Sequence, residues 1–515
     1  MVQLNKQTFA SYVQERYGRP AEGPLNDFIS RRNGRLILAE RLDLHTLAQH
    51  YGAPLEVIYC PLITSQVQQM LHWAAQARQR ANYAGAFLYA YATKANFAAD
   101  AVQTALAAGA HYETSATADV RIAHHLWRQG IVPAACMVFC NGSKEPAYID
   151  AIRDLRLDGH DGVVAILDDL NELARLIDCP APLRFGMRER AAGNRDGRHL
   201  GNDRFGLTHD EMLVAAQQIA ASPHCLEVFH AMIGSQLDDQ EHYIALMRET
   251  VINYCTLRQV VPTLRYLNIG GGMPTSAYNL GFSFDYAGLL TRLMHEIRTI
   301  CAEFAVPMPD LIGEFGRYTV ANHSLFIFEV GHVKTGQGDN PDWYLVNGSF
   351  MVSLPDSVLV DQEFIVLPLE GWDAPIRPVR FGGRRTCDSD DVYPRPQHPP
   401  LMLPNTGVGT LVAVFGAGAY QQMIAGRGGA HHCLNPEPRR ITIHEVAGKL
   451  CYEVEAPQDQ AEMMRLLGYP ARPVRLPIEL PRITDSRAPT VVRQAPIVMN
   501  PLGRRRERLR LVRER

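Results

Sequence analysis

Hydrophobic positions along the chain fall into two textures. From about residue 55 to 330, short apolar runs alternate with longer stretches in which apolar residues recur every three or four positions. The runs at 55–58, 86–91, 163–167, 226–230, 266–269 and 311–313 read as strands, and those at 63–80, 98–107, 118–129 and 287–304 as helices. Strict alternation of the two predicts parallel strands joined by crossover helices. This many units fits a closed α/β barrel of the (β/α)8 type better than an open sheet, with ligands at the carboxyl ends of the strands. After about residue 331 the pattern changes to short apolar runs broken by Gly, Pro and Asp, as at 343–346, 364–367 and 410–415, which predicts a mostly β domain. The expected organisation is an N-terminal extension over 1–35 and a strand within 36–46 that returns to pair with the C-terminal β domain. The barrel follows over 47–330 and the β domain over 331–455. A Pro- and Arg-rich extension of low intrinsic order occupies 456–515.

A chain of 515 residues, 46% hydrophobic and 20% charged, is expected to be globular and too long for one small core. Its net charge of -3 gives no reason to invoke nucleic acid, and the arginine-rich run at 503–515 reads as a solvated tail. Ten cysteines are scattered without a CxxC pair, and residues 1–18 lack the apolar core of a signal peptide, so a reducing, cytoplasmic setting is expected. No window approaches eighteen uninterrupted apolar residues, which predicts no membrane span.

Several strand ends carry candidate chemistry. Tyr91-Ala92-Thr93-Lys94 delivers a lysine to the end of an apolar run. Such a lysine either reaches solvent or, if buried, has its pKa lowered and becomes a Schiff-base nucleophile. Gly270-Gly271-Gly272 after a strand lets backbone N–H groups approach an anion such as phosphate, or simply makes a tight turn. Gly313-Glu314-Phe315-Gly316-Arg317 sets an acid and an arginine three apart, suited to a heteroaromatic nitrogen and a phosphate, or to a surface ion pair. In Cys387-Asp388-Ser389-Asp390 acidic neighbours are expected to keep the thiol protonated, ready to donate a proton, while the carboxylates attract a cation. His431-His432-Cys433 is poor geometry for zinc and reads as loop, so no metal is expected.

In this order, the residues resemble the pyridoxal-phosphate-dependent basic amino acid decarboxylases of the alanine-racemase-like fold, which act on ornithine, diaminopimelate or arginine. The likeness runs over about residues 36–450 and includes Leu42-Asp43-Leu44, Tyr51-Gly52-Ala53-Pro54 and Ile233-Gly234-Ser235-Gln236. It implies that Lys94 carries pyridoxal phosphate as a Schiff base and that Glu314 meets the pyridine nitrogen. Gly270, Gly271, Gly272, Ser235, Arg317 and Tyr420 would surround the phosphate, Arg184 would lie near the ring's acidic partner, and Glu113 would be a further acid beside the cofactor. Cys387 would reprotonate Cα, and Asp388, with Asp356 and Asp390, would receive a cationic substrate side chain. In the family Cys387 and Asp388 come from the partner subunit, so the resemblance implies a homodimer with shared sites.

The aspartate after Cys387, where diaminopimelate decarboxylases have glutamate, points to a purely cationic substrate. The segments 348–356, 361–369 and 418–421 look like biosynthetic arginine decarboxylases, so decarboxylation of arginine to agmatine leads. Ornithine, lysine, diaminopimelate or a D-amino acid are the alternatives, as is a non-catalytic binding protein. Met232 stands where the family has a histidine that stacks on the cofactor ring. A thioether packs against a ring but carries no proton. His230, about 6–7 Å back on the same strand face, is placed to take over part of that role.

Overall fold

The computed structural model describes residues 7–190, 204–384 and 387–469, and two short strands beyond them. Arg385, Thr386 and most of the expected C-terminal extension, with all of its arginine run but Arg505 and Arg506, lie outside the described residues. The chain divides into two units, 1–466 and 467–515. In the second, Val498–Met499 pairs antiparallel with Arg505–Arg506.

The first unit contains the expected barrel. Its eight parallel strands are β1 (Phe87–Ala92), β2 (His111–Thr114), β3 (Val138–Cys140), β4 (Val163–Leu167), β5 (Arg184–Arg188), β6 (Cys225–His230), β7 (Tyr266–Asn268) and β8 (Asp310–Glu314). They pair in sequence order, and β8 closes onto β1 with Leu311 opposite Phe87 and Glu314 opposite Ala90. The interior is plugged by Ala90, Phe139, Val164, Ile166, Val228, Tyr266 and Ile312. Because side chains alternate along a strand, positions two further on face the same interior one layer nearer the carboxyl ends. Those positions hold His230, Asn268 and Glu314. Gly186 lies in the plug, where an added Cβ would meet Ile166 and Val228 at 2.3 and 2.9 Å, so Arg188 also belongs to the upper layer. A dry core therefore carries a polar rim.

Helix boundaries follow their local chemistry. The helix Pro61–Ala81 starts on a proline, whose missing N–H costs nothing at that position, and ends on Asn82 in the left-handed conformation. The helix Thr117–Arg128 buries Val120, Ala123 and Leu126 against the barrel.

Two expectations are corrected. The run at 55–58 is no barrel strand: Leu55–Tyr59 lies inside a ten-stranded sheet, antiparallel to Ser324–Lys334 and parallel to Arg439–Val446. Its five residues are all buried, since it is covered on both faces, and that makes it resemble a barrel strand in sequence. The strand expected within 36–46 does not join that sheet. Arg35–Leu38 and Leu42–Asp43 belong to a separate four-stranded meander with Gly23–Pro24 and Ile29–Arg32. Leu36 and Leu38 still enter the hydrophobic core of the β half.

Candidate active site

β1 ends in a single 3-10 turn, Thr93–Ala95, and this turn presents Lys94. It is clamped from two sides. The Tyr91 hydroxyl donates to Asn96 O at 2.6 Å, and the Tyr420 backbone N–H, arriving from the β half, donates to Ala95 O at 2.7 Å. Thr93 Oγ1 bonds Asp119, whose other oxygen accepts from the Tyr112 hydroxyl at 2.6 Å. Lys94 itself reaches solvent. Its pKa is raised, which corrects the expectation of a lowered one: burial works downward, but Glu113, then Tyr420 and Glu314, outweigh it.

Glu314, at the end of β8, is the centre of the rim. Its carboxylate accepts from Asn268 at 2.7 Å and from Asn141 at 3.0 Å, and it meets His230 Nε2 at 3.2 Å. Burial works to raise its pKa, and His230 with the two amides overcomes this, holding it at about 2. Glu113, on β2, accepts from the same Asn141 nitrogen at 2.8 Å. Burial and then the charge of Glu314 push it up to about 8, against the pull of Lys94 and Asn141.

The three glycines after β7 make a tight cradle. Gly270 and Gly272 have φ of 64° and 96°, and a Cβ on Gly270 would lie 2.4 Å from Ala231 O. Met232 packs on this turn, its Sδ accepting from the Gly271 N–H at 3.3 Å. His230, tied to Glu314, does not take the place of the missing ring histidine. Ser235 is exposed in the next loop. Arg317 stacks on the Tyr420 ring at 4.5 Å and donates to the Tyr278 hydroxyl at 3.1 Å and to Asp356 at 3.4 Å.

Arg184 is not part of this group. It begins β5, about 13 Å below the strand's carboxyl end, and pairs with Glu227 at 2.6 Å. Arg188, at the other end of β5, is the arginine that acts on Glu314 and Glu113, and it lies 4.0 Å from Asp168. Asp356 is buried against Arg317 and Gln421. Cys387 is exposed on a loop of the β half. Asp388 pairs there with His432 at 3.1 Å and Asp390 with Arg395 at 3.3 Å.

Sequence reasoning passed over Asn141, Asn268 and Arg188. Each sits at or just after the carboxyl end of a short apolar run, and that position is the signal that could have found them. The donor set fits pyridoxal phosphate. Lys94 offers an amine, Glu314 a permanent carboxylate, and the glycine turn and Arg317 a seat for an anion. Glu113 Oε2, Asn141 Oδ1, His230 Nδ1 and Arg317 Nε are buried without a protein partner among the described residues.

Residues 69–321 match the family model of the pyridoxal-dependent decarboxylases, over their pyridoxal binding domain. This match, just under half of the chain, falls on the barrel and identifies the cofactor as pyridoxal phosphate. Among curated relatives, the biosynthetic arginine decarboxylase of Rhodopirellula baltica is 27% identical over 229 residues, covering 41% of this chain and 34% of that one. That of Thermosynechococcus vestitus is 25% identical over 310 residues, 56% of this chain and 48% of that one. The chain thus spans a third to a half of the length of these relatives. Among solved structures, the biosynthetic arginine decarboxylase of Campylobacter jejuni superposes with a TM-score of 0.74 at 19% identity, over 89% of this chain and 92% of that one. The diaminopimelate decarboxylase of M. jannaschii, in complex with L-lysine, gives 0.70 at 19% identity, over 85% and 97%. At that identity both speak for the fold. No helix among the described residues is long and apolar enough to cross a membrane.

Proposed function

We propose that this chain is a pyridoxal-phosphate-dependent decarboxylase of a basic amino acid, with arginine to agmatine as its leading reaction. The observation that carries the reading is the assembly at one barrel mouth of Lys94, a charged Glu314, the glycine turn and Arg317. Arginine is supported by the names of curated relatives similar to this chain and by the acids Asp388 and Asp390, since planar guanidinium is matched well by carboxylates.

Pyridoxal phosphate, when bound, supplies a sink for the electron pair left at Cα as carbon dioxide departs. The chain's own residues prepare and finish that step. Lys94 would hold the cofactor through Nζ, and its raised pKa keeps the free amine protonated. Glu314, charged throughout the physiological range, would hold a proton on the ring nitrogen. The Gly270–Gly272 amides and Arg317 would hold the phosphate, and Met232 would offer the ring an uncharged thioether. Cys387 of the partner subunit gives Cα its proton, and Asp388 of the partner subunit receives the substrate's distal cation, so the working form is a homodimer.

Carbon dioxide and amine formation are to be followed from L- and D-arginine, ornithine, lysine and diaminopimelate, with pyridoxal phosphate present. The expected result is agmatine from arginine, falling at least about a thousandfold in Lys94→Ala. Turnover of none of these substrates by the wild-type protein would refute the reading. Cofactor binding without turnover would favour the non-catalytic alternative that Met232 suggests.

A further inference from the structure

Glu113 and Glu314 come from β2 and β8, the two strands that flank β1, yet one nitrogen serves both. Asn141 Nδ2 lies 2.8 Å from Glu113 Oε1 and 3.0 Å from each oxygen of Glu314. A carboxamide nitrogen has two hydrogens, so both bonds form together. Two buried carboxyls drawn onto one donor repel each other strongly when both are charged, and the pair then keeps one proton. The remaining donors decide which member keeps it. Glu314 is also met by Asn268 at 2.7 Å and by His230 at 3.2 Å. Glu113 Oε2 is buried with no protein partner among the described residues. Deepening the reading above, and resting on it for the identity of the bound group, we infer that Glu113 stands as a neutral carboxylic acid beside a charged Glu314. Its proton sits on Oε2; Asn141 is the positioning residue that draws the two carboxyls together, and Asn268 and His230 leave the charge on Glu314.

The other titratable groups facing the pair are Lys94 from the turn after β1, Tyr112 on β2, Asp119 from the helix Thr117–Arg128, Cys140 on β3, Tyr148 from the helix Pro146–Leu157, Arg188 from β5 and His230 from β6. Lys94 favours charge on Glu113, and Asp119 opposes it. Burial and Glu314 prevail, so Glu113 titrates near 8. Below that pH, Oε2–H is a donor for an oxygen of the cofactor or substrate; above it, the same atom is a second negative charge that repels an anionic ligand.

Infrared difference spectroscopy of the full-length protein, with and without pyridoxal phosphate, reads this directly when the wild type is compared with Glu113→Gln. A protonated carboxyl band is expected at about pH 6, fading with a midpoint near 8 and missing from the variant. Asn141→Ala removes a donor that favours the charged form, so the Glu113 midpoint should move upward and pyridoxal phosphate retention weaken about tenfold. A wild-type band that is missing at about pH 6, or that titrates in the ordinary carboxylate range, overturns the inference even if Asn141→Ala does not fold. A midpoint unmoved in a folded Asn141→Ala overturns the role of Asn141. The spectra need no turnover. A titrating band without decarboxylation of any basic amino acid keeps this inference and removes the proposed reaction, and turnover without the band does the reverse.

Discussion

At the scale of single residues, the rim of the barrel holds two glutamates whose proton affinities are driven in opposite directions, and protein stability must register both. Glu314 titrates at about 2 in the folded chain against an ordinary 4.5, so the unfolded chain binds more protons between those values. Its contribution is full above 4.5 and is lost as pH falls toward 2. Glu113, raised to about 8, works the other way: the folded chain binds the extra proton, and stability declines as pH rises from 4.5 to 8. Glu113→Gln keeps the shape and removes the charge. Its stability should therefore exceed that of the wild type at about pH 9, by on the order of a few kcal/mol, and approach it near pH 5. Thermal denaturation across that range checks this, and parallel curves for the two proteins would show that Glu113 does not titrate as described. The same rim explains what reading the chain could and could not reveal. Lys94, Glu314 and the glycines were visible because each breaks an apolar run with an unusual residue type. Asn141 and Asn268 were not, because an asparagine after a strand looks like an ordinary turn residue, and only the closed barrel turns both amides onto one carboxylate.

At the scale of elements, the loop after β3 that carries Asn141 is held by a buried ion pair. Lys144 Nζ donates to Gly142 O at 2.7 Å and to Ile166 O at 2.5 Å, and pairs with Glu172 at 2.9 Å, both side chains being almost fully enclosed. Glu172 also accepts from the Lys144 and Asp168 backbone N–H groups, so one carboxylate joins the ends of β3 and β4. The Tyr148 hydroxyl closes the set by donating to Asn141 O at 3.0 Å. Removing one partner of a buried pair strands the other. Lys144→Met is expected to cost about 3–5 kcal/mol in chemical denaturation, whereas Arg121→Met, at a surface pair with Asp154, should cost under about 1 kcal/mol. Equal losses would mean that Lys144 is no more than another surface-like contact. The strands themselves were legible where the apolar run was long enough: β1 shows at 86–91, whereas β3, apolar but only three residues long, does not. β4, β6, β7 and β8 appear as expected, while β5 was hidden because Arg184 and Arg188 bracket it with charge. Leu55–Tyr59 misled for the opposite reason, since burial on both faces gives the same apolar run in either sheet.

At the scale of the whole molecule, one copy of the chain collects the cofactor-holding residues but anchors Asp388 and Asp390 to His432 and Arg395 of its own β half. The proposed chemistry needs Cys387 and Asp388 to face a Lys94, and a two-fold dimer supplies that pairing twice, each copy lending its loop to the other's barrel. A mixing experiment tests this without any structure of the assembly. Lys94→Ala lacks the cofactor-holding amine, and Cys387→Ala lacks the proton donor, so each alone should be nearly inactive. After the two are dissociated together and allowed to reassociate, half of the dimers contain one copy of each. In every such dimer one site joins an intact Lys94 to an intact Cys387, while the other carries both defects. About a quarter of the wild-type activity should return. If the site is built within one copy, mixing restores nothing. His432 adds a check on the same loop, because it must release Asp388 before a substrate cation can take its place. His432→Ala should lower KM for a basic amino acid while leaving kcat nearly unchanged, whereas Asp388→Asn should raise KM about tenfold or more. A His432→Ala enzyme with unaltered KM would mean that Asp388 is already free when substrate arrives.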